Sequence, residues 1–304
     1  MKKIVLLILM IIFIPYFIVT FFIKDDNIKF YYSSNMNIRV KRHDTGIIEN
    51  VPFEEYVVGV LAGEMPANFE LEALKAQAVA ARTYVIKKVN DNYNKDYDVI
   101  DTVENQVYIS DEELKKKWQG EYQDRINKLR KAVVETKGEY LTYEGDVIEA
   151  LFFSTSVGKT ENSEEIFSKK LPYLRSVDSS WDAEVSPVFS DSFEFSLQEF
   201  YERLNIKYSD SIVFKIINTT STGRIKTVNI NGKEFSGSAI FSLLGLRSTF
   251  FDIEQIGNNV IVSTKGYGHG VGMSQYGALA MAKKGYNYKD ILSYYYQGTE
   301  IQKK

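Results

Sequence analysis

Residues 51–88 read VPFEEYVVGVLAGEMPANFELEALKAQAVAARTYVIKK, and this stretch predicts two helices joined by a short connector. Pro52 suits the first turn, where its missing N–H costs nothing, and Glu54 and Glu55 lie at the positive end of the helix dipole. Tyr56, Val57, Val60 and Leu61 give the first helix an apolar face, and Gly63 fits its end. Glu64-Met65-Pro66 is the connector, and Asn68 is the expected cap of a second helix running to about Lys88. In that helix Leu71, Leu74, Ala78, Ala81 and Val85 recur at three- and four-residue steps as one buried stripe. Lys75 and Arg82 sit two turns apart on a shared face beside it, and the alanines at 73, 76, 78, 80 and 81 are small enough for close packing.

Working outward, residues 25–50 form a polar lead-in with a strand at Ile38–Val40. Downstream, Ser110 and Glu113 have capping-box spacing before a charged helical stretch that Gly120 interrupts and Gly138 ends. Tyr140–Tyr143 and Val147–Phe153 read as a hairpin around Glu144-Gly145-Asp146. Residues 185–265 are strand-rich: Ile212–Ile217, Ile225–Ile230 and Val260–Thr264, with an Asn231-Gly232 turn and short helices over Asp191–Leu204 and Ser238–Leu244. A terminal helix follows from Ser274 to Lys284. The order predicts a mixed α+β body over 51–304, with the strand-rich segment offering a second lobe beside a cleft.

At the other end, Ile4–Ile23 reads IVLLILMIIFIPYFIVTFFI, about 20 uncharged residues and long enough to span a bilayer. No small-x-small cleavage pattern follows it, so residues 1–24 are expected to be a cytoplasmic tip and a retained single-pass signal anchor. Lys2 and Lys3 precede the segment, which puts the N-terminus in the cytoplasm and the chain from about residue 25 outside.

The whole chain has 304 residues with 37 basic and 40 acidic side chains. Removing Lys2, Lys3 and Lys24 leaves 34 bases against 40 acids, so the outer part carries a net charge of −6. That field steers neither nucleic acid nor anionic lipid toward the protein, and no nucleic-acid partner is expected. With no cysteine, thiol nucleophiles, disulfides and Cys-type zinc sites are excluded, and only His43 and His269 can supply imidazole.

Three clusters could carry chemistry. Glu64 lies between a helix C-terminus and a proline; the dipole favours its neutral form, while Lys75 or Arg82 nearby would favour the charged one, leaving the net sign open. A solvated connector carboxylate is the plainer reading. Ser154-Thr155-Ser156-Val157-Gly158 is either a substrate-binding turn or one that satisfies its own backbone. A Ser–His–acid hydrolase using Ser154 or Ser156 with His269 lacks the Gly-x-Ser-x-Gly elbow. Residues 266–278, GYGHGVGMSQYGA, look like a dinucleotide fingerprint, but the 32 residues after Gly272 are too few for a nucleotide-binding half. Its glycines either let backbone approach a ligand or another segment while presenting His269, Ser274 and Gln275, or form a tight loop entering a helix with His269 satisfied in the core, and the residues alone do not separate the two.

Together these segments resemble the stage II sporulation protein D family, of the SpoIID/LytB class. Pro52–Val57, Gly63–Pro66, Glu72–Ala78 with Ala81–Thr83, Asn105–Tyr108, Leu246–Phe250 and the glycine loop occur in the family's order, dispersed over nearly the whole outer region. The resemblance implies a membrane-anchored lytic transglycosylase that cuts peptidoglycan glycan strands during forespore engulfment, with Glu64 as acid/base and no cofactor. It further implies that Lys75, Gln77 and Arg82 hold Glu64 or sugar substituents, and that Ser154, Thr155, Ser156, His269, Ser274 and Gln275 donate hydrogen bonds along the cleft. Implied partners are the stage II sporulation proteins P, an amidase, and M, in the mother-cell membrane facing the septal wall. Many relatives carry histidine where this chain has Phe153, and some clostridial ones hold zinc with His and Cys, so no zinc is expected here. The alternative from a different class is a non-catalytic glycan-binding or scaffolding subunit.

Overall fold

A computed structural model describes residues 36–303. The expected anchor, Ile4–Ile23, lies outside the described residues, and among those described no helix is long and apolar enough to cross a membrane. In chain order the elements begin with β1 (Asn37–Lys41), β2 (Ile48–Pro52), α1 (Phe53–Glu64), α2 (Leu71–Asp91), β3 (Val99–Ile100), α3 (Asp111–Trp118) and α4 (Tyr122–Glu135). Next come β4 (Glu139–Tyr143), β5 (Asp146–Val147), β6 (Phe152–Phe153), α5 (Ser163–Ile166) and α6 (Asp182–Val185). The strand-rich segment holds β7 (Ser190–Ser196), α7 (Leu197–Leu204), β8 (Phe214–Thr219), β9 (Ile225–Ile230), β10 (Lys233–Ser236), α8 (Gly237–Leu244), β11 (Phe251–Ile256) and β12 (Asn259–Lys265). The chain closes through β13 (Met273–Ser274), α9 (Gln275–Lys283), α10 (Tyr288–Tyr295) and β14 (Glu300–Lys303).

Helix α2 is the axle of the body, and its alanines explain why. Ala73, Ala76 and Ala80 enter a core with Leu141 of β4, Ala278 of α9 and Ile291 and Leu292 of α10. Leu74 and Ala78 face a second core with Val57 and Leu61 of α1 and Leu129 and Val133 of α4. Ala81 and Val85 join a third with Ile38, Val40, Tyr56 and Val60. A helix buried on several faces at once needs short side chains for its neighbours to approach. Because Ile38 and Val40 are core residues, the expected lead-in is in part structural: β1 pairs antiparallel with β2 and parallel with β3.

The strand-rich segment carries its own core, built from Phe195, Phe200, Val228, Ile240, Val260, Val262 and their neighbours. Two antiparallel sheets, β11-β12-β7 and β10-β9-β8, enclose it together with α7 and α8. Asn231 and Gly232 turn the β9–β10 hairpin, both with positive φ (49° and 86°), the type I′ geometry expected of that pair.

Several sequence expectations are corrected. Helix α2 begins at Leu71 behind Glu70, and Asn68 instead lies in a turn closed by Phe69 N–H to Pro66 O at 3.0 Å. Residues 190–196 are strand, because Ser-Asp-Ser-Phe-Glu-Phe-Ser alternates with period two against β12, and Ser196 caps the helix that starts at Leu197. The hairpin after Gly138 is only two rungs deep; Phe152 and Phe153 leave it and pair in parallel with Met273 and Ser274. That departure sets the Ser-Thr-Ser turn beside the glycine loop, with Thr155 and Tyr267 exchanging backbone hydrogen bonds at 3.1 and 2.8 Å.

Candidate active site

Glu64 is the last residue of α1, and it opens into a cleft of about 610 Å³ between the body and the loops that precede α9. The residue before it is glycine because of close approach. A Cβ on Gly63 would stand 2.3 Å from the Val107 carbonyl oxygen, well inside contact distance. With no side chain there, the segment around Val107 lies against the end of α1 and delivers its N–H to Glu64 Oε1 at 2.7 Å. Oε1 is thereby held, and no hydrogen bond to Oε2 is made among the described residues. Burial pushes the carboxyl up to about 7, with the Val107 N–H working against it, so the sign left open by the sequence is upward. Gly63→Ala is expected to cost about 1–3 kcal/mol in urea melts, as overpacking does, and to speed hydrogen exchange at the Val107 amide.

One wall of the cleft is polar. Tyr84 of α2 lies within the influence of both Glu64 and Glu149, and burial with their charges raises its hydroxyl to about 12. Asn105 Nδ2 reaches that hydroxyl at 3.5 Å, and the Lys88 ammonium stands over the ring. A second part of the lining is aromatic. Phe153 and Phe167 flank the His269 ring, with centroids 5.8 and 5.5 Å away, and Phe167 (42% exposed) and Tyr267 (44%) present open rings. Such an amphipathic slot matches a pyranose, whose axial C–H face is apolar and whose rim is hydroxylated.

His269 is a strut rather than a base. Its Nδ1 accepts from Val271 N–H at 3.1 Å, which places the ring proton on Nε2, and the ring also hydrogen-bonds the Phe152 backbone. Burial, with the Arg224 charge, lowers it to about 4, so it is neutral at physiological pH. Ser154 Oγ meets Thr155 Oγ1 at 3.3 Å, and no serine–histidine pair is formed among the described residues. The donor set does not fit zinc either: Phe153 beside the cleft offers no ligand, the chain has no cysteine, both His269 nitrogens are engaged, and no cluster of His, Asp and Glu that could hold a metal is found among the described residues.

Of the residues expected from sequence, the cleft brings together Glu64, Ser154, His269 and Gln275. The others are placed elsewhere. Arg82 is fully buried and forks onto Glu54, Nε at 3.1 Å and Nη2 at 2.7 Å, while Nη1 caps the Glu139 carbonyl at 3.0 Å. Lys75 is taken by Glu72 at 2.7 Å and Glu135 at 2.5 Å. Gln77 is fully buried in α2, its amide without a hydrogen-bond partner among the described residues. Thr155 bonds Ser186, and Ser156 and Ser274 both converge on buried Asp182, which accepts from Ser156 N–H at 2.7 Å and from the Ser274 hydroxyl. These groups fix the loops that carry Ser154 and Gln275. Sequence reasoning missed Tyr84, Glu149, Phe167 and Tyr267 as cleft residues, and Val107 acts through its backbone, which leaves no side-chain signal.

Comparison with known proteins bears on this geometry. A family profile described as stage II sporulation protein matches residues 41–143, the span that contains α1, α2 and the Val107 segment. Stage II sporulation protein D of Bacillus subtilis (strain 168) is 46% identical over 274 residues, covering 88% of this chain and 80% of its own length. The chain belongs to the stage II sporulation protein D family. The protein of that name from Bacillus amyloliquefaciens is 44% identical over 273 residues, 88% of this chain and 79% of its own. The family likeness extends to a longer protein, the amidase enhancer of Bacillus subtilis, 34% identical over 299 residues but only 40% of that protein. Membership therefore spans body and strand-rich lobe alike, not the profile region alone.

Proposed function

We propose that this chain is a membrane-anchored lytic transglycosylase that cleaves peptidoglycan glycan strands in sporulation, at the MurNAc–GlcNAc linkage. The observation that carries the reading is Glu64: a carboxyl at about 7, one oxygen pinned by a backbone N–H, opening into a slot with one polar and one aromatic wall. The names of the relatives, a sporulation protein and an amidase enhancer, support a cell-wall substrate. The anchor rests on the apolar run Ile4–Ile23 and places the cleft outside the cytoplasmic membrane. Amidase and scaffold partners, the stage II sporulation proteins P and M, would supply peptide-stripped strands.

The chemistry needs one carboxyl. Protonated Oε2 of Glu64 gives its proton to the glycosidic oxygen as the C1–O4 bond breaks, and that electron pair leaves with O4. The carboxylate then removes the proton of the muramic C6 hydroxyl, and O6 bonds to C1, closing an anhydro ring without consuming water. Tyr84 and Asn105 are placed to hold sugar hydroxyls, and the Phe167 and Tyr267 rings to stack on pyranose faces. A second reading, hydrolysis, is favoured by one observation: Glu149 lines the same cleft, and two carboxyls across a glycosidic bond are the ordinary hydrolase arrangement.

The test is turnover of peptide-free glycan against pH. Because Glu64 must start protonated, kcat/KM is expected to fall about tenfold per pH unit above about 7. A flat profile from pH 6 to 9, or binding without cleavage, would contradict the assignment.

A further inference from the structure

Arg224 belongs to the strand-rich lobe, one residue before β9, yet its side chain is almost wholly buried (1% exposed) against the body. Its Nη1 donates to the Gly268 carbonyl at 2.8 Å, and its Nε stands 3.3 Å from Glu161, itself fully buried. Glu161 N–H in turn donates to the Gly270 carbonyl at 2.7 Å. Thr220 and Thr222 of the lobe both donate to Glu161 Oε1. At Gly270 a Cβ would meet Arg224 Nε and Glu161 Cγ at 2.9 Å each, so the loop lies directly on the ion pair. Two charges are thus desolvated behind the backbone that carries Tyr267, Gly268 and His269 into the cleft. Burying a pair in this way seldom adds net stability over an apolar filling, which points to a geometric role.

We infer that Arg224 is a positioning residue: from the strand-rich lobe it braces the glycine loop in its cleft conformation, and glycan binding depends on that brace. The lobe's contribution to the site is then mechanical, because Gly268 N–H also reaches back to the Arg247 carbonyl at 3.0 Å and Arg247 lies over the Tyr267 ring. The glycan part of the inference rests on the proposed function; the brace does not. The titratable groups around the pair are Glu165 and Lys226 beside Glu161, and His269, neutral at physiological pH, on the loop.

The experiment uses the full chain with Glu64→Gln, so that bound glycan is not consumed. Glycan affinity is measured by calorimetry with peptide-free strands, and His269 is titrated by NMR, with His43 the one other histidine to assign. Arg224→Met is expected to weaken glycan binding at least about tenfold and to move the His269 titration up by about half a pH unit. The pair Glu161→Leu with Arg224→Met, which removes both buried charges, regains melting temperature but neither of those properties, and it is read alone if the single variant does not fold. Recovery of glycan affinity in the pair, or a His269 titration unmoved in both, overturns the inference. Should the Glu64→Gln chain itself not bind glycan, the glycan reading fails while hydrogen exchange at the Val271 amide, which speeds if the loop loosens and is unmoved if only the charge is lost, still decides the brace.

Discussion

Glu64→Gln is expected to lower glycan turnover at least about a thousandfold while leaving glycan affinity within a few fold. The amide keeps the size of the side chain and the acceptor for Val107 N–H, but it has no proton of suitable acidity to give O4 and no charge with which to take one from O6. The same variant has a stability signature. The folded Glu64 is raised to about 7 from an ordinary 4.5, so the native state binds more protons than the unfolded state across that window. Wild-type stability therefore falls as pH rises from about 4.5 to 7, and Glu161, also raised to about 7 chiefly by burial, acts in the same direction. Glu64→Gln removes its share of that loss. Melts should show the variant on the order of 1–2 kcal/mol more stable than wild type at pH 8, with the gain disappearing at pH 4. A thousandfold loss of turnover together with a gain in stability is hard to produce by misfolding.

Arg82→Met should lose about 3–5 kcal/mol of stability, because it strands the Glu54 carboxylate in a site where both side chains are almost fully buried. Gly138 N–H, at 3.3 Å from Glu54, is too little to satisfy it. The arginine fork ties α2 to α1, and its Nη1 bond to Glu139 O ties both to the start of β4. Adding Glu54→Leu should recover most of the loss. If Arg82 instead gripped substrate, the single variant would melt normally and bind glycan poorly; chemical denaturation beside calorimetry separates the two.

The Arg82 case shows where the sequence stops informing. Helical periodicity located α1 and α2 and the face that Leu74, Ala78 and Val85 bury, because burial has a period. The Ser110–Glu113 capping box and the Asn231-Gly232 turn were legible because each satisfies its hydrogen bonds locally. Pairing over long separations has no such mark. Arg82 and Lys75 both read as basic groups free for a ligand, and each proved to have an internal acid, Glu54 for one and Glu72 with Glu135 for the other. Asp191–Leu204 reads as helix throughout from its sequence because the alternation of its first half is carried by two apolar residues only, half-buried Phe193 and buried Phe195, and the pairing with β12 that makes it a strand is non-local. In the site, Glu64 was legible through its motif, but the aromatic wall comes from residues 153, 167 and 267, whose meeting depends on Phe152 and Phe153 leaving their hairpin for β13. The hydroxyl cluster of residues 154–156 likewise divides by geometry, Ser154 into the cleft and Ser156 onto Asp182.

One carboxyl acting twice, first as acid and then as base toward the substrate's own hydroxyl, is the central claim, and Glu149 is the residue that would undo it. Peptide-free glycan strands digested in water enriched in heavy oxygen, with the new ends read by mass spectrometry, test it most directly. The account predicts ends that are anhydro-muramic, one water lighter than reducing sugars, with no heavy oxygen incorporated. Reducing ends carrying the heavy label would show that water is the nucleophile and would contradict it.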